Sequence, residues 1–215
     1  KEIVECEKCS RLREHCTQVA ITKRRAYRDQ EYWGRPVPSF GDPKARLLIV
    51  GLAPGAHGAN RTGRMFTGDS SGDFLYRVLH NTGFASQPTS KFKEDGLRLN
   101  DAYITASAHC APPDNKPSPE ELNTCREFLT RELALMPRAK VVVVLGRIAF
   151  ENYLRAAGLK LGGYEFGHGV EHKLDNGRTL ICSYHPSQQN TSTGRLTEPM
   201  LEAIFTRARQ IIARP

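Results

Sequence analysis

The apolar positions of this chain fall into short continuous runs separated by longer stretches of mixed character. Such runs are typical of strands buried on both faces of a sheet, and they predict strands at 45–50, 100–108 and 140–146. A hairpin is predicted over 164–187, turning at the "DNG" of 175–177. Helices are predicted in the remaining stretches: 73–81, 118–136, 147–158 and from 198 onward.

Strands that alternate with helices predict an α/β fold with a largely parallel central sheet. Ligands of such sheets bind beyond the carboxyl ends of the strands. Three unusual loops follow predicted strands, at 51–72, 110–119 and 185–197. We therefore expect these loops to converge on one crevice. The first contains six glycines, but it has neither a Walker lysine followed by Ser/Thr nor a G-x-G-x-x-G, so it matches the usual nucleotide loops poorly.

The charge of the chain favours a polyanionic partner. Lys and Arg total 31 against 23 acidic residues, a formal net charge of +8. Basic clusters lie at 22–28 ("TKRRAYR") and in the last predicted helix. Nucleic acid is the first candidate partner, and a merely basic surface is the alternative. The length of 215 residues favours a single domain, no apolar run approaches a membrane span, and no secretory signal is visible.

Six cysteines without an export signal favour metal or redox use over disulfides. A four-thiolate centre would use an N-terminal C-x-x-C and a pair far downstream: Cys6, Cys9, Cys110 and Cys125. Because there is no second short C-x-x-C, a [4Fe–4S] cluster is favoured over a zinc ribbon. The alternative is that Cys110 and Cys125 are buried as small apolar residues. Cys16 is a lesser rival for the fourth ligand, and Cys182, inside an apolar strand, is predicted to be core.

Three loop sequences and the cysteine pattern together resemble one family. "GLAPGAHGANRTGRMFTGDSSG", "CAPPDNKPSP" and "YHPSQQNTSTGRLT" resemble the family 5 (B-type) uracil-DNA glycosylases, and the cysteines resemble the [4Fe–4S] ligands of families 4 and 5. The resemblance runs from Cys6 to Leu196. It implies a three-layer α/β/α sandwich around a central four-stranded parallel sheet, in a single domain over 1–215 whose segment 1–40 contributes to the iron–sulfur site.

The resemblance also implies catalytic roles. Phe66 would stack on an extruded base, and His185 would stabilise the negative charge of the departing uracil. Asn115 would hold the attacking water, because Ala53 replaces the water-activating aspartate of family 1. The nearby Asp69 would orient Asn115 or polarise the water. Other roles stay open: Phe66 covering the core, Asn115 forming an Asx-turn between prolines, and Asp69 capping the next helix.

The walls of the implied pocket carry small residues. Backbone N–H groups at 53–55 could bond the base, since glycine lets the chain approach closely. Gly55 leaves open the position where family 1 has a tyrosine that excludes the thymine methyl. Ala106 replaces the asparagine with which family 4 reads the uracil edge. Without that amide, discrimination should loosen, so we expect uracil and other deaminated bases such as hypoxanthine to be accepted.

The last loop is expected to meet DNA. Leu196 is predicted to be the wedge that fills the gap left by the flipped nucleotide, and Arg195, beside Gly194, to hold phosphate. Asn190 would brace the loop or contact DNA, and Arg61 of the first loop is a further candidate contact. The alternative for the last loop is a solvated hairpin tip.

The sequence therefore predicts a DNA repair glycosylase that acts on uracil-containing DNA. No lysine falls on a matched motif position, which argues against a Schiff-base lyase. We expect a monomer of prokaryotic type, cytoplasmic and associated with the nucleoid, with no membrane partner. Two alternatives remain: a nucleic-acid-binding module without catalysis, which Ala53 favours, and a redox protein centred on the cluster.

Overall fold

The fold is built on one six-stranded sheet. The computed structural model describes residues 2–214. The strands, in chain order, are β1 (Phe40–Gly41), β2 (Leu47–Gly51), β3 (Ala102–Ala106), β4 (Val141–Leu145), β5 (Glu171–Lys173) and β6 (Thr179–Ser183). Their spatial order is β1-β3-β2-β4-β6-β5. The inner four are parallel, and the two short edge strands are antiparallel.

Helices cover both faces of the sheet, so the predicted α/β/α sandwich around four parallel strands is confirmed. They are α1 (Ser10–Thr22), α2 (Ala59–Thr62), α3 (Ser70–Asn81), α4 (Pro119–Leu135), α5 (Arg147–Ala156), α6 (Gln188–Ser192) and α7 (Glu198–Ala213). One core layer packs α3 and α7 against the sheet, and the other packs α4 and α5. Every residue of β2, β4 and β6 is buried, because helices cover these strands on both sides.

The start of α4 follows from its sequence. The Ser118 hydroxyl accepts a hydrogen bond from the Glu121 N–H at 3.2 Å, and the Glu121 carboxylate accepts one from the Ser118 N–H at 2.7 Å. This capping box, with Pro119 in the first turn, determines the residue at which the preceding loop ends and α4 begins. The predicted hairpin is also present, with Lys173 paired to Thr179.

The sequence did not predict β1. It has only two residues and no apolar run, and it exists because Phe40 and Gly41 pair with the edge of β3. Gly41 is required there, since a Cβ on it would lie 2.4 Å from the Ala102 carbonyl oxygen. Within residues 2–214, no helix has the length and apolar character needed to cross a bilayer.

Candidate active site

One large cavity opens at the carboxyl edge of the sheet, where β2, β3 and β6 end. Its volume is about 860 Å³. All three unusual loops contribute to its lining, as expected from the parallel topology. Seven of the residues predicted for catalysis and base binding line it: Ala53, Gly55, Phe66, Asp69, Ala106, Asn115 and His185.

Phe66 is held over the end of β2 in a strained conformation. Its φ is +51°, a left-handed value that aromatic residues rarely adopt. A Cβ on Gly51 would lie 2.9 Å from Phe66 Cε2, so the ring needs a glycine beneath it. The ring also packs against the core, as the alternative interpretation required. Its centroid lies 6.2 Å from that of His185, with 33° between the planes, so both rings border the same space.

His185 follows β6, and its backbone is braced from the last loop. The Asn190 side-chain amide donates a hydrogen bond to the His185 carbonyl at 2.8 Å. Asn190 therefore braces the loop, one of the two roles expected of it. Burial lowers the pKa of His185 to about 4, so the imidazole is neutral at pH 7. A neutral ring has one N–H donor, which is suited to an oxygen that gains negative charge.

Asp69 is both the cap of a helix and part of the cavity wall, as its two alternative interpretations required. Its Oδ1 accepts a hydrogen bond from the Gly72 N–H at 2.9 Å, so it is the N-cap of α3, and it also lines the cavity. Burial raises the pKa of this carboxyl. A Cβ on Gly58 would lie 1.9 Å from Asp69 Oδ2, so the glycine at 58 makes room for the carboxylate.

Asn115 lies at the exposed mouth of the cavity. Asp114 and Asn115 both have left-handed φ values, 53° and 56°, and the turn is held by backbone bonds from Asn115 N–H to the Pro112 carbonyl and from Lys116 N–H to the Pro113 carbonyl. Polar short side chains tolerate this conformation better than most residues. The turn thus presents the Asn115 amide at the cavity.

Comparison with known proteins agrees with this geometry. The family model "Uracil DNA glycosylase superfamily" matches residues 38–209. The chain belongs to this superfamily. It is similar to two proteins named type-5 uracil-DNA glycosylase: one from Thermus thermophilus, 50% identical over 96% of this chain and 93% of the relative, and one from Mycobacterium tuberculosis, 51% identical over 96% of this chain and 78% of the relative. A type-5 relative from Pyrobaculum aerophilum is 42% identical over 96% of this chain and 88% of its own length. The predicted resemblance to family 5 is confirmed.

The structure contradicts the prediction that Leu196 is the wedge that fills the gap left by a flipped nucleotide. Its side chain is completely buried in the core layer that contains α7. The chain turns at Gly194, whose φ is +71°, and the Leu196 N–H then bonds the Asn190 carbonyl at 3.0 Å, which directs the apolar side chain inward. Leu196 therefore cannot be a surface wedge in this conformation. The exposed tip of the loop is polar: Ser192, Thr193, Gly194 and Arg195.

Arg61 is also not the DNA contact that was predicted. It is only 8% exposed, and its guanidinium donates to the His57 carbonyl (2.8 Å), the Gln30 side chain (2.6 Å) and the Gly68 carbonyl (2.7 Å). Its donors are used inside the protein, where they hold the first loop together. A single basic residue in a loop sequence cannot reveal such burial.

A second cavity of about 390 Å³ adjoins the first and shares Leu52 and His185 with it. Arg195 lines it with its guanidinium 4.8 Å from the Tyr184 ring centroid, and Arg147 lines it from the start of α5. The sequence interpretation missed Arg147. It follows β4 at the same carboxyl edge, so the strand-end rule that selected the three loops could have found it.

Further residues missed by sequence reasoning line the main cavity from the N-terminal segment, the first loop and α6. They are Arg24, Tyr27, His57, Gln188 and Gln189. They lie outside the matched motifs or between the motif residues, and only the folded chain brings them to the cavity.

The four cysteines predicted as ligands lie together, away from the active-site cavity. They line a separate small cavity of about 20 Å³: Cys6, Cys9, Cys110 and Cys125. The N-terminal segment thus folds back over α4, as a shared site requires. Cys16 is buried beside Cys110, and Cys182 is buried in β6 as predicted. Within residues 2–214, no three Cys, His, Asp or Glu side chains are arranged to surround a single metal ion.

Proposed function

We propose that this protein is a monofunctional DNA repair glycosylase that hydrolyses the N-glycosidic bond of uracil in DNA and leaves an abasic site. One observation carries the proposal: Phe66, Asn115 and His185, from three distant loops, line a single cavity. The names of the type-5 relatives support the same reaction.

The base would reach this cavity by leaving the duplex. Unstacking and unpairing cost a few kcal/mol, least for a mismatched pair such as U opposite G. In the cavity the base would stack on Phe66, whose ring borders the open space beside His185. The small residues Ala53 and Gly55 let the backbone approach the edge of the base.

His185 would stabilise the leaving group. When the glycosidic bond breaks, its electron pair goes to the base, which leaves as an anion, and the sugar becomes an oxocarbenium ion. The neutral His185 imidazole would donate a hydrogen bond to the base oxygen that gains charge. A donor fixed in a buried site is worth more than one in water, because it needs no reorganisation during the reaction.

Asn115 and Asp69 would position the water that attacks the sugar. Ala53 supplies no carboxylate at the first motif, so water must be held by the side chains at the cavity mouth and at the start of α3. An amide orients water but is a poor base. We therefore infer that catalysis depends more on leaving-group stabilisation than on deprotonation of water.

The substrate range would extend beyond uracil. Gly55 and Ala106, at the end of β3, place no side-chain hydrogen-bonding group at their positions in the cavity wall. A site without that hydrogen bond cannot strongly reject analogues that lack the partner group. Hypoxanthine is the deaminated purine that we expect to be accepted.

The donor set fits a [4Fe–4S] cluster bound by Cys6, Cys9, Cys110 and Cys125. The four thiols line one cavity without a carboxylate, and thiolates are the usual ligands of such clusters. Each ligand of a cluster binds a different iron, so the four thiols need not surround one point. When bound, the cluster would covalently connect the N-terminal segment to α4.

The test is single-turnover excision from labelled duplexes that contain uracil, hypoxanthine, xanthine or a thymine mispair, with alkali cleavage of the abasic product. We expect product from uracil opposite guanine and from hypoxanthine. A non-catalytic binding module is the second candidate, favoured by Ala53. It predicts tight binding to the uracil duplex with no alkali-labile product, and that result would refute the glycosylase proposal.

A further inference from the structure

A cluster of cations lies in the N-terminal segment, outside the residues matched by the superfamily model. Within six residues the chain carries Lys23, Arg24, Arg25 and Arg28. The three arginines are exposed, and none forms an ion pair with another residue in 2–214. Two carboxylates, of Asp29 and Glu31, follow the cluster, and they leave it with an excess of positive charge.

The cluster borders the mouth of the active-site cavity. Arg24 and Tyr27 line the main cavity together with the first and last loops. Tyr27 also lines an adjoining depression that shares Asp69 with the main cavity. A strand whose base enters the cavity must therefore pass next to this segment.

The segment is fixed to the catalytic loop by Arg61. The Arg61 guanidinium lies 4.0 Å from the Tyr27 ring centroid and donates to the Gln30 side chain at 2.6 Å. The Arg61 carbonyl accepts a hydrogen bond from the Trp33 N–H at 2.9 Å. The buried arginine thus holds the exposed ones in place.

A second anchor holds Arg24 itself. The Arg24 N–H donates to the Tyr32 hydroxyl at 3.3 Å, which leaves the tyrosine O–H free to donate to His57 Nδ1 at 3.1 Å. Burial, and then the charges of Arg24 and Arg61, lower the pKa of His57, so its ring is neutral and can accept this bond. The backbone of the cluster is therefore ordered before any ligand binds.

We propose that the segment Lys23–Arg28 is a phosphate clamp, which binds the DNA backbone beside the nucleotide that enters the cavity. Its ligand is the phosphodiester chain, without regard to base sequence, because guanidinium groups pair well with phosphate oxygens. The inference rests on the proposed function, because that function makes DNA the source of the phosphodiester chain. It assigns to Arg24, Arg25 and Arg28 the contact that the sequence suggested for Arg61.

The test compares two triple variants that remove the same charge. The clamp variant is Arg24→Ala/Arg25→Ala/Arg28→Ala, and the matched control is Arg98→Ala/Arg138→Ala/Arg214→Ala. The control arginines are exposed, unpaired within residues 2–214 and absent from the cavity lining. Binding of an undamaged duplex is measured by fluorescence anisotropy at several salt concentrations, after thermal unfolding has confirmed that both variants are folded.

Each phosphate contact contributes about 0.9 to the slope of log K against log salt for B-DNA. The clamp variant should lose at least about 0.9 from this slope and bind at least about tenfold more weakly at low salt, while the control keeps the wild-type slope. Equal changes in both variants, or no change in the clamp variant, would overturn the proposal.

A second readout separates this inference from the proposed function. At an enzyme concentration below the wild-type Kd, the clamp variant should excise uracil more slowly than wild type, because its weaker binding lowers the fraction of duplex that is bound. If the wild type excises no base, the glycosylase proposal fails even when the salt slopes differ. If excision is normal and the slopes do not differ, only the clamp fails.

Discussion

At the scale of single residues, the site depends on groups held in unfavourable states. Phe66 adopts a left-handed backbone, and His185 is kept neutral by burial. Such states persist only where the surrounding structure enforces them, and they cluster at functional sites. Gly51 admits the Phe66 ring, and the Asn190 amide fixes the backbone of the buried His185.

The state of His185 predicts a specific pH dependence of stability. Its pKa is about 4 in the folded chain and about 6.5 when unfolded. Between these values the unfolded chain binds more protons, so the free energy of unfolding falls as the pH falls. From pH 7 to 4.5, wild type should lose about 2 kcal/mol more than His185→Gln, as measured by urea unfolding. Identical losses in the two proteins would show that His185 titrates normally.

At the scale of elements, the first loop is tied to the segment before β3 by a buried ion pair. Arg64 and Asp95 are 2.8 Å apart, with side chains 3% and 7% exposed. Arg64 also donates to the Lys93 carbonyl, and Asp95 accepts from the N–H groups of Lys91 and Leu97. This network joins the interior of the first loop to the interior of the segment before β3.

Removing one partner should therefore be costly. Asp95→Ala leaves the Arg64 charge buried and unpaired, which destabilises proteins by about 3 kcal/mol or more. Asp73→Ala is the control, because it breaks an exposed pair with Lys91 that is worth about 1 kcal/mol or less. The measurement is the midpoint of urea unfolding at unchanged m-value. Similar small losses for both variants would mean that the buried pair does not hold the loops.

The elements also show what the sequence could predict. Apolar runs placed the inner strands, and Ser118 with Glu121 placed the start of α4, because both signals are local. The position of each strand end then brought three loops to one cavity. Local signals did not predict that Leu196 and Arg61 are buried, because the burial of a single side chain depends on which distant residues fold over it.

At the scale of the whole molecule, the N-terminal segment joins two sites. Cys6 and Cys9 meet Cys110 and Cys125 at one cavity, and residues further along the same segment border the active site. If the four cysteines bind an iron–sulfur cluster, the order of this segment depends on iron, since metal binding and folding are coupled in such sites.

Loss of iron should therefore loosen this segment. Cys9→Ala should contain little iron, whereas Cys182→Ala, in the core of β6, should contain the wild-type amount. For a chain of this size, a loss of about 2 kcal/mol lowers Tm by about 4–8 °C, and proteolysis should begin within the first 40 residues. The measurements are iron content, Tm and the mapped cleavage sites. Full iron in Cys9→Ala would rule out the proposed ligand set.

The most direct test of the account is the single-turnover excision of uracil from a U:G duplex by variants of the three loops. His185→Ala should be slower by about 10²–10³-fold, the usual effect of removing one donor to a developing anion. Phe66→Ala and Asn115→Ala, which lose positioning of the base and of the water, should each be slower by at least about tenfold. His80→Ala, exposed on α3, should match wild type. Wild-type rates in all three loop variants would contradict the claim that these loops enclose one site where the base departs.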